Sequence, residues 1–244
     1  MKAGFCVLVL SASLGAHGQI FQFDAGSSSL FHAEGGGFHF TGPDSEGWFS
    51  AGLLNGRLLS GAFVQKQWRS YTIGAGDDAY LVSLPTDLFE GSHYFWGRGA
   101  NVTFSSPRIK LSVFGGATSL QQVTPFFNGA DAQTPIGYIS ADVKLTPKVN
   151  LFSRNVIGAQ STSISGFEFL LPAGWKSALA LGVGDDRPYG ALSLGGAWRW
   201  FKFKGAYVIA NRNFERVGVS SQSSTENDKE NLEIQFRPSE SLNF

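Results

Sequence analysis

The chain has 244 residues, of which 31 are glycine, 14% are aromatic and only 16% are charged. Average proteins contain about 25% charged residues and about 7% glycine, so this composition disfavours a helical protein and favours strands joined by tight turns. Basic and acidic residues number 19 each, so no basic excess indicates a nucleic-acid partner.

The first residues have the features of a secretory signal peptide. Lys2 supplies a positive charge, residues 5–14 form a short apolar run, and small residues follow at the spacing of a cleavage site. A membrane-spanning helix needs about 20 apolar residues, so the run is too short to be one. We therefore predict a signal peptide over residues 1–18 and one exported domain over residues 19–244. Cleavage of the signal peptide would remove Cys6, the one cysteine of the chain. The mature domain would then contain no disulfide and no thiolate metal site.

The first clear strand pattern is a hairpin over residues 48–65. It is centred on Asn55 and Gly56, which both tolerate the positive φ of a two-residue hairpin turn. A second pair of strands follows, with a predicted loop over residues 74–78. The two adjacent acids of that loop are interpreted as a solvated loop tip rather than a catalytic dyad.

The middle of the chain contains unusually long alternating segments. Residues 94–104 keep one apolar parity over eleven positions. Strands of soluble proteins average about five or six residues, whereas a strand that crosses the apolar layer of a membrane needs about 9–11. After a turn, apolar and cationic residues alternate from Arg108 to Val113. Residues 118–135 show no alternation, and the sequence predicts a long loop there.

The later strands show the same alternation. Residues 139–145 place Asp142 and Lys144 opposite an apolar face, and residues 189–209 predict a hairpin whose parity changes after Trp200, as at a tight turn. Lys202 and Lys204 stand opposite the aromatic residues of this hairpin. Near the end of the chain, apolar and polar residues alternate again over residues 232–236.

The chain resembles a bacterial outer-membrane β-barrel protein of porin-like architecture. The resemblance covers nearly all of residues 19–244. It is carried by RIKLSVFGG, by IGYISADVKLTPK, by the hairpin of residues 198–204 and by the carboxy-terminal Phe244. A terminal aromatic residue on an alternating strand is similar to the signal read by the barrel-insertion machinery, although Pro238 and Glu240 interrupt the alternation. No family-specific motif is present, and a truncated part of a longer barrel is an open alternative.

This resemblance implies an all-β fold, namely an antiparallel up-and-down transmembrane β-barrel. Removing 18 of 244 residues leaves 226, and roughly 17 residues per strand and connection predicts about 12 strands, with a range of about 10–14. A barrel of that size lies between the filled and the channel-forming classes.

If the apolar faces meet lipid, the opposite faces line a lumen. The predicted pore-lining residues are Lys110, Asp142, Lys144, Arg154, Lys202 and Lys204. Five of these six are cationic, which predicts a mildly cationic pore, unless the charges pair with one another and fill the barrel. The predicted membrane-interface aromatic residues are Trp96, Trp198, Trp200, Phe201 and Phe203.

The sequence contains no phosphate-binding loop, dinucleotide fingerprint, zinc motif or nucleophile elbow. We therefore expect no enzymatic activity, no cofactor and no metal. The predicted function is an outer-membrane pore or small-solute channel. Its expected partners are membrane lipid, the barrel-insertion machinery and small solutes, with no nucleic acid. The alternative is a secreted or periplasmic all-β domain that binds a ligand or partner, and the oligomeric state stays open.

Overall fold

The structure, a computed structural model, consists almost entirely of β-strands. It describes residues 7–16, 19–29, 32–89, 92–123, 127–159, 161–198, 200–211, 214–216, 225–226 and 228–236. The strands are β1 Val7–Ala16, β2 Gln19–Ser28, β3 Ala33–Thr41, β4 Ser45–Leu54, β5 Arg57–Trp68, β6 Tyr71–Leu81, β7 Tyr94–Ser105, β8 Ile109–Val123, β9 Asn128–Thr146, β10 Val149–Gly158, β11 Thr162–Leu170, β12 Lys176–Gly184, β13 Arg187–Trp198, β14 Phe201–Ala210, β15 Phe214–Glu215, β16 Thr225–Glu226 and β17 Lys229–Phe236. A single 3-10 turn is found in these ranges, at Pro172–Gly174. No helix in the described ranges has the length and apolar character needed to span a membrane.

The strand order follows the chain. One 15-stranded sheet runs from β1 through β14 and ends with β17, while β15 and β16 form a separate pair. This is the antiparallel up-and-down arrangement expected from the sequence. Of the 15 strands, 14 lie in residues 19–244, at the upper end of the expected range of about 10–14. Many connections have only two residues, such as those at Asn55 and Lys148, so each strand uses less chain than assumed. β1 lies within the predicted signal peptide and pairs with β2, so cleavage after residue 18 stays a prediction.

Residues 118–135, predicted to be a long loop, are mostly strand. β8 continues to Val123 and β9 begins at Asn128. Side chains join the two strands here: the Thr118 hydroxyl lies 2.9 Å from the Thr134 hydroxyl and accepts a hydrogen bond from the Thr134 backbone N–H at 3.2 Å. Polar residues occupy both faces in this stretch, so the apolar period is lost although the backbone stays extended.

The loop predicted at residues 74–78 is also wrong, because these residues lie inside β6. Gly76 has a φ of +118°, a conformation that residues with side chains rarely adopt. The alternation breaks at this glycine as it does at a β-bulge, and Asp77 becomes buried, with 2% of its surface exposed. Asp77 is therefore not part of a solvated loop tip.

Two predicted hairpins are confirmed. Asn55 and Gly56 connect β4 to β5 with φ values of +52° and +76°, as a two-residue hairpin turn requires. β13 and β14 pair from Tyr189 to Ala210, and the change of parity falls at their connection. The terminal Phe244, with Pro238 and Glu240, lies outside the described residues.

The chain forms two compact units. The first unit contains Met1–Ala79, Trp96–Phe104 and Phe114–Ile136, and the second unit contains Tyr80–Phe95, Ser105–Val113 and Gly137–Phe244. In each unit one face of the sheet carries exposed side chains and the other is covered by packed side chains. We call these the exposed face and the covered face of that unit.

In the second unit many large aliphatic side chains lie on the exposed face. Leu181 and Leu192 are 60% and 51% exposed, whereas Ala180 and Ser193 are 0% and 3% exposed. A soluble domain shows the opposite distribution, with large aliphatic residues inside. The covered face packs into a core made of Leu84, Phe152, Ile164, Ala180, Tyr189, Ala191, Val208, Ala210 and Phe214.

The first unit has the same distribution. Phe49, Leu58 and Ile73 are more than half exposed, at 53%, 71% and 51%. Its covered face has a smaller core, in which Ala33, Leu59 and Phe127 are buried and Leu54 packs against them. Glycine therefore accounts for much of the covered face, as expected where a second segment approaches the sheet closely.

Candidate functional site

A cavity of about 410 Å³ lies in the second unit and collects three of the predicted pore-lining residues. Lys110, Asp142 and Lys144 all line it, together with Arg108 and the acid Glu168. The buried Phe152 also contributes to its wall, which places the cavity on the covered face. Ile109 and Val143, which have the opposite parity on β8 and β9, line the cavity as well. The pore-lining position of the three charged residues therefore stays a prediction.

Arg154 does not act as an isolated cation, because it forms an ion pair. Its Nη2 atom lies 2.8 Å from Oδ1 of Asp142, and its Nη1 atom donates to the carbonyl oxygens of Ala141 and Ser153 at 3.1 and 2.9 Å. Only 14% of the Arg154 side chain is exposed. Arg154 and Asp142, a cation and the one acid among the predicted pore-lining residues, therefore neutralise each other.

Lys204 is paired as well, with an acid that the sequence prediction left out. Its Nζ atom lies 3.3 Å from Glu233 on β17, directly across the register of the two strands. The same Nζ atom lies 5.6 Å from the centre of the Phe89 ring, a cation–π distance. Glu233 alternates with apolar residues in β17, so its parity was visible in the sequence. Lys202 has the same parity as Lys204 on β14.

Residues 82–89, which we call the second inner segment, lie on the covered face of the second unit. Leu84 belongs to the buried core, and the Cδ1 atom of Leu88 lies 3.2 Å from the position that a Cβ on Gly195 would take. Ser193, on β13, lies 3.5 Å from the Pro85 carbonyl oxygen. The connection between β6 and β7 therefore folds back over the sheet.

A buried ion pair holds the second inner segment. Asp87 accepts hydrogen bonds from Nη1 and Nη2 of Arg216 at 3.0 and 2.8 Å, and the two side chains are 7% and 3% exposed. The Nε2 atom of His93 lies 3.8 Å from the same carboxylate. Next to Arg216, Phe214 is fully buried and stacks on Tyr189 at 5.1 Å. Bidentate pairs of this kind are strong and geometrically specific.

The first unit contains its own ion pair, in which Asp77 is buried and the Arg98 side chain is 37% exposed. Asp77 accepts hydrogen bonds from Nε and Nη2 of Arg98 at 2.8 and 2.9 Å and from the Ala62 backbone N–H at 3.1 Å. Arg98 also donates to the carbonyl oxygens of Ser60 and Ala130. This pair joins four segments of the unit, and the sequence gives no periodic signal for it because Asp77 follows the break at Gly76.

Residues 127–130, the first inner segment, lie against the covered face of the first unit. Side chains at Gly35 or Gly52 would collide with the Phe127 ring, which is 4% exposed. The Ser50 hydroxyl donates to the Asn128 carbonyl oxygen at 2.5 Å and accepts from the Asn128 N–H at 3.1 Å. The two glycines therefore form the space that receives the ring.

Four of the five predicted interface aromatics gather at one end of the second unit. The connections from β11 to β12 and from β13 to β14 lie at the same end of these antiparallel strands. The ring pairs are Trp198–Phe201 at 6.1 Å, Trp200–Phe201 at 5.4 Å, Trp175–Phe203 at 5.9 Å and Trp200–Phe236 at 5.8 Å. Trp96 belongs to the first unit, where it lies in β7 and is partly buried. Such end clusters are typical of strands that meet a membrane surface.

No protein-family model matches the sequence, and no curated protein matches it. Two crystal structures of Acinetobacter baumannii OccAB proteins, which are outer-membrane porins, are similar to the chain. With OccAB3 the identity is 12% and the TM-score 0.50, over 88% of this chain and 68% of OccAB3. The fold is porin-like.

With OccAB4 the identity is 10% and the TM-score 0.48, over 80% of this chain. The chain spans 62% of the length of OccAB4. The resemblance predicted from the alternating strands is thus confirmed at the level of the fold, through OccAB3. The residues that the structure describes contain no group of three or more His, Cys, Asp or Glu side chains placed to hold a metal ion.

Proposed function

We propose that this protein is an outer-membrane channel that passes small solutes. The observation that carries the proposal is the exposed face of each unit, on which large aliphatic side chains such as Leu181, Leu192 and Leu58 are more than half exposed. Lipid is the environment that favours such a surface. The end cluster of Trp198, Trp200 and Phe201 and the porin-like fold support the same function. Export by the predicted signal peptide and insertion by the barrel-insertion machinery belong to this proposal.

The second inner segment supports a constriction rather than an open tube. It covers part of the face on which Lys204 and the cavity with Lys110 and Lys144 lie. Because Arg154 and Lys204 are paired with acids, the anion preference that we propose is weak and rests on Lys110, Lys144 and Lys202. We assign no enzymatic activity to this arrangement.

The first test is fractionation of the complete chain, followed by gel electrophoresis of unboiled and boiled membrane samples. We expect an outer-membrane protein that migrates faster before boiling, because a closed barrel resists detergent. Recovery as a soluble protein without detergent would contradict the proposal. It would favour the alternative of an all-β binding domain, which has to bury leucines such as Leu181 and Leu192.

The second test is ion selectivity in planar bilayers. We expect replacement of Lys202 and Lys204 by Glu to shift the reversal potential toward cations, since fixed charges near a pore bias ion passage. Lys148→Glu, in the exposed turn after β9, is the matched control and is expected to leave the potential unchanged. Equal potentials for all three proteins would remove these lysines from the pore.

A further inference from the structure

An apolar groove of about 630 Å³ lies on the exposed face of the second unit. The second inner segment covers the other face of the same sheet. Gly205 forms its floor, between Leu194 of β13 and Leu232 of β17 in the strand register. Phe203 and Tyr207 stand on either side of this glycine along β14. A Cβ at Gly205 would contact only side-chain atoms, at 3.2 to 3.9 Å, so the depression exists because this position has no side chain.

A carboxylate lies at one end of the groove. Glu230 lines it, is exposed and stands directly across the register from Tyr207. Among the residues that the structure describes, no ion pair to Glu230 is found. A charged group on an otherwise apolar face is costly unless a partner compensates it. The position therefore favours a cation supplied from outside the chain.

We propose that this groove binds a membrane phospholipid with an ammonium headgroup, with an acyl chain over Gly205 and the ammonium group at Glu230. The groove runs for four residues between Phe203 and Tyr207, which corresponds to about 13 Å of strand, enough for a large part of an acyl chain. The apolar walls match the chain, and the acid matches the headgroup in charge. This inference rests on the proposed membrane location of the protein.

The test compares Gly205→Leu with the wild type. Gly190→Leu is the control, because Gly190 has the same parity as Leu192 on the exposed face and a Cβ there meets only Leu181 at 3.7 Å. Purified proteins in detergent would be titrated with phosphatidylethanolamine and examined by native mass spectrometry. We expect one retained lipid for the wild type and the control, and at least a tenfold weaker occupancy for Gly205→Leu.

A second variant tests the headgroup contact. Glu230→Gln is expected to remove the preference for phosphatidylethanolamine over phosphatidylglycerol while apolar binding remains. Two outcomes would overturn the groove assignment in a protein that still shows heat-modifiable migration. The first is equal lipid occupancy in the wild type and Gly205→Leu, and the second is an unchanged headgroup preference in Glu230→Gln. A wild type that is soluble without detergent would instead overturn the proposed channel, so the two failures are distinguishable.

Discussion

In the first unit, an inner segment is held by an aromatic ring in a space made by glycine and by hydrogen bonds from Ser50 and Arg98 to its backbone. In the second unit, an inner segment is held by a buried pair of charges. Phe127 packs against Gly35 and Gly52, whereas Asp87 bonds to Arg216. Ring packing depends on shape and is indifferent to salt and charge. A buried pair depends on both partners being present, because either one alone is left as an uncompensated charge. We therefore expect different perturbations to weaken the packing of the two segments against their sheets.

The largest effect is expected from removing one charge in the second unit. Arg216→Ala leaves Asp87 buried without its main partner, which typically costs about 3–5 kcal/mol. We expect faster hydrogen exchange over residues 82–89 and a larger, noisier single-channel conductance. Lys148→Ala in an exposed turn is the control.

The double variant Asp87→Ala with Arg216→Ala tests whether the two charges are directly coupled. It removes both charges, so it is expected to be less destabilised than Arg216→Ala alone. The measurement is the free energy of unfolding in detergent for Asp87→Ala, Arg216→Ala and the double variant. A loss in the double variant that equals the sum of the two single losses would contradict a direct coupling between these side chains.

A smaller effect is expected from filling the space in the first unit. Gly52→Val places methyl groups against the Phe127 ring and the Glu34 backbone, and overpacking of this kind costs about 1–3 kcal/mol. Gly115→Val in the same unit is the control, because a Cβ there has open space within 4 Å. We expect the destabilisation by Gly52→Val to be the same at low and high salt. A salt-dependent loss would mean that Gly52→Val also disturbs the hydrogen bond from Arg98 to the Ala130 carbonyl oxygen.

The smallest effect on stability is expected at the half-exposed pair of Lys204 and Glu233. Their side chains are 29% and 32% exposed, so removing the acid costs about 0.2–1 kcal/mol. Glu233→Gln should nevertheless move the reversal potential toward anions, since it frees the charge of Lys204. Asp186→Asn, in the exposed turn after β12, is the control because asparagine also tolerates its φ of +62°. A potential that does not move would place Lys204 outside the ion path.

Alternation made the strands and their faces predictable. The opposite parities of Leu192 and Ser193 follow from a period of two, and the turn at Asn55 and Gly56 follows from their tolerance of positive φ. The extent of β8 and β9 did not follow, because residues with polar neighbours on both faces, such as Thr118, lose that period while keeping extended backbone.

Local spacing and composition were enough to predict the all-β fold class, the long alternating strands and the porin-like resemblance. Which charges meet depends on contacts between distant segments. Asp87 and Arg216 are separated by 129 positions, and Asp77 is turned inward by the backbone conformation of Gly76. Pairs of this kind depend on how distant segments fold over a sheet, and no periodic signal within a strand encodes that path.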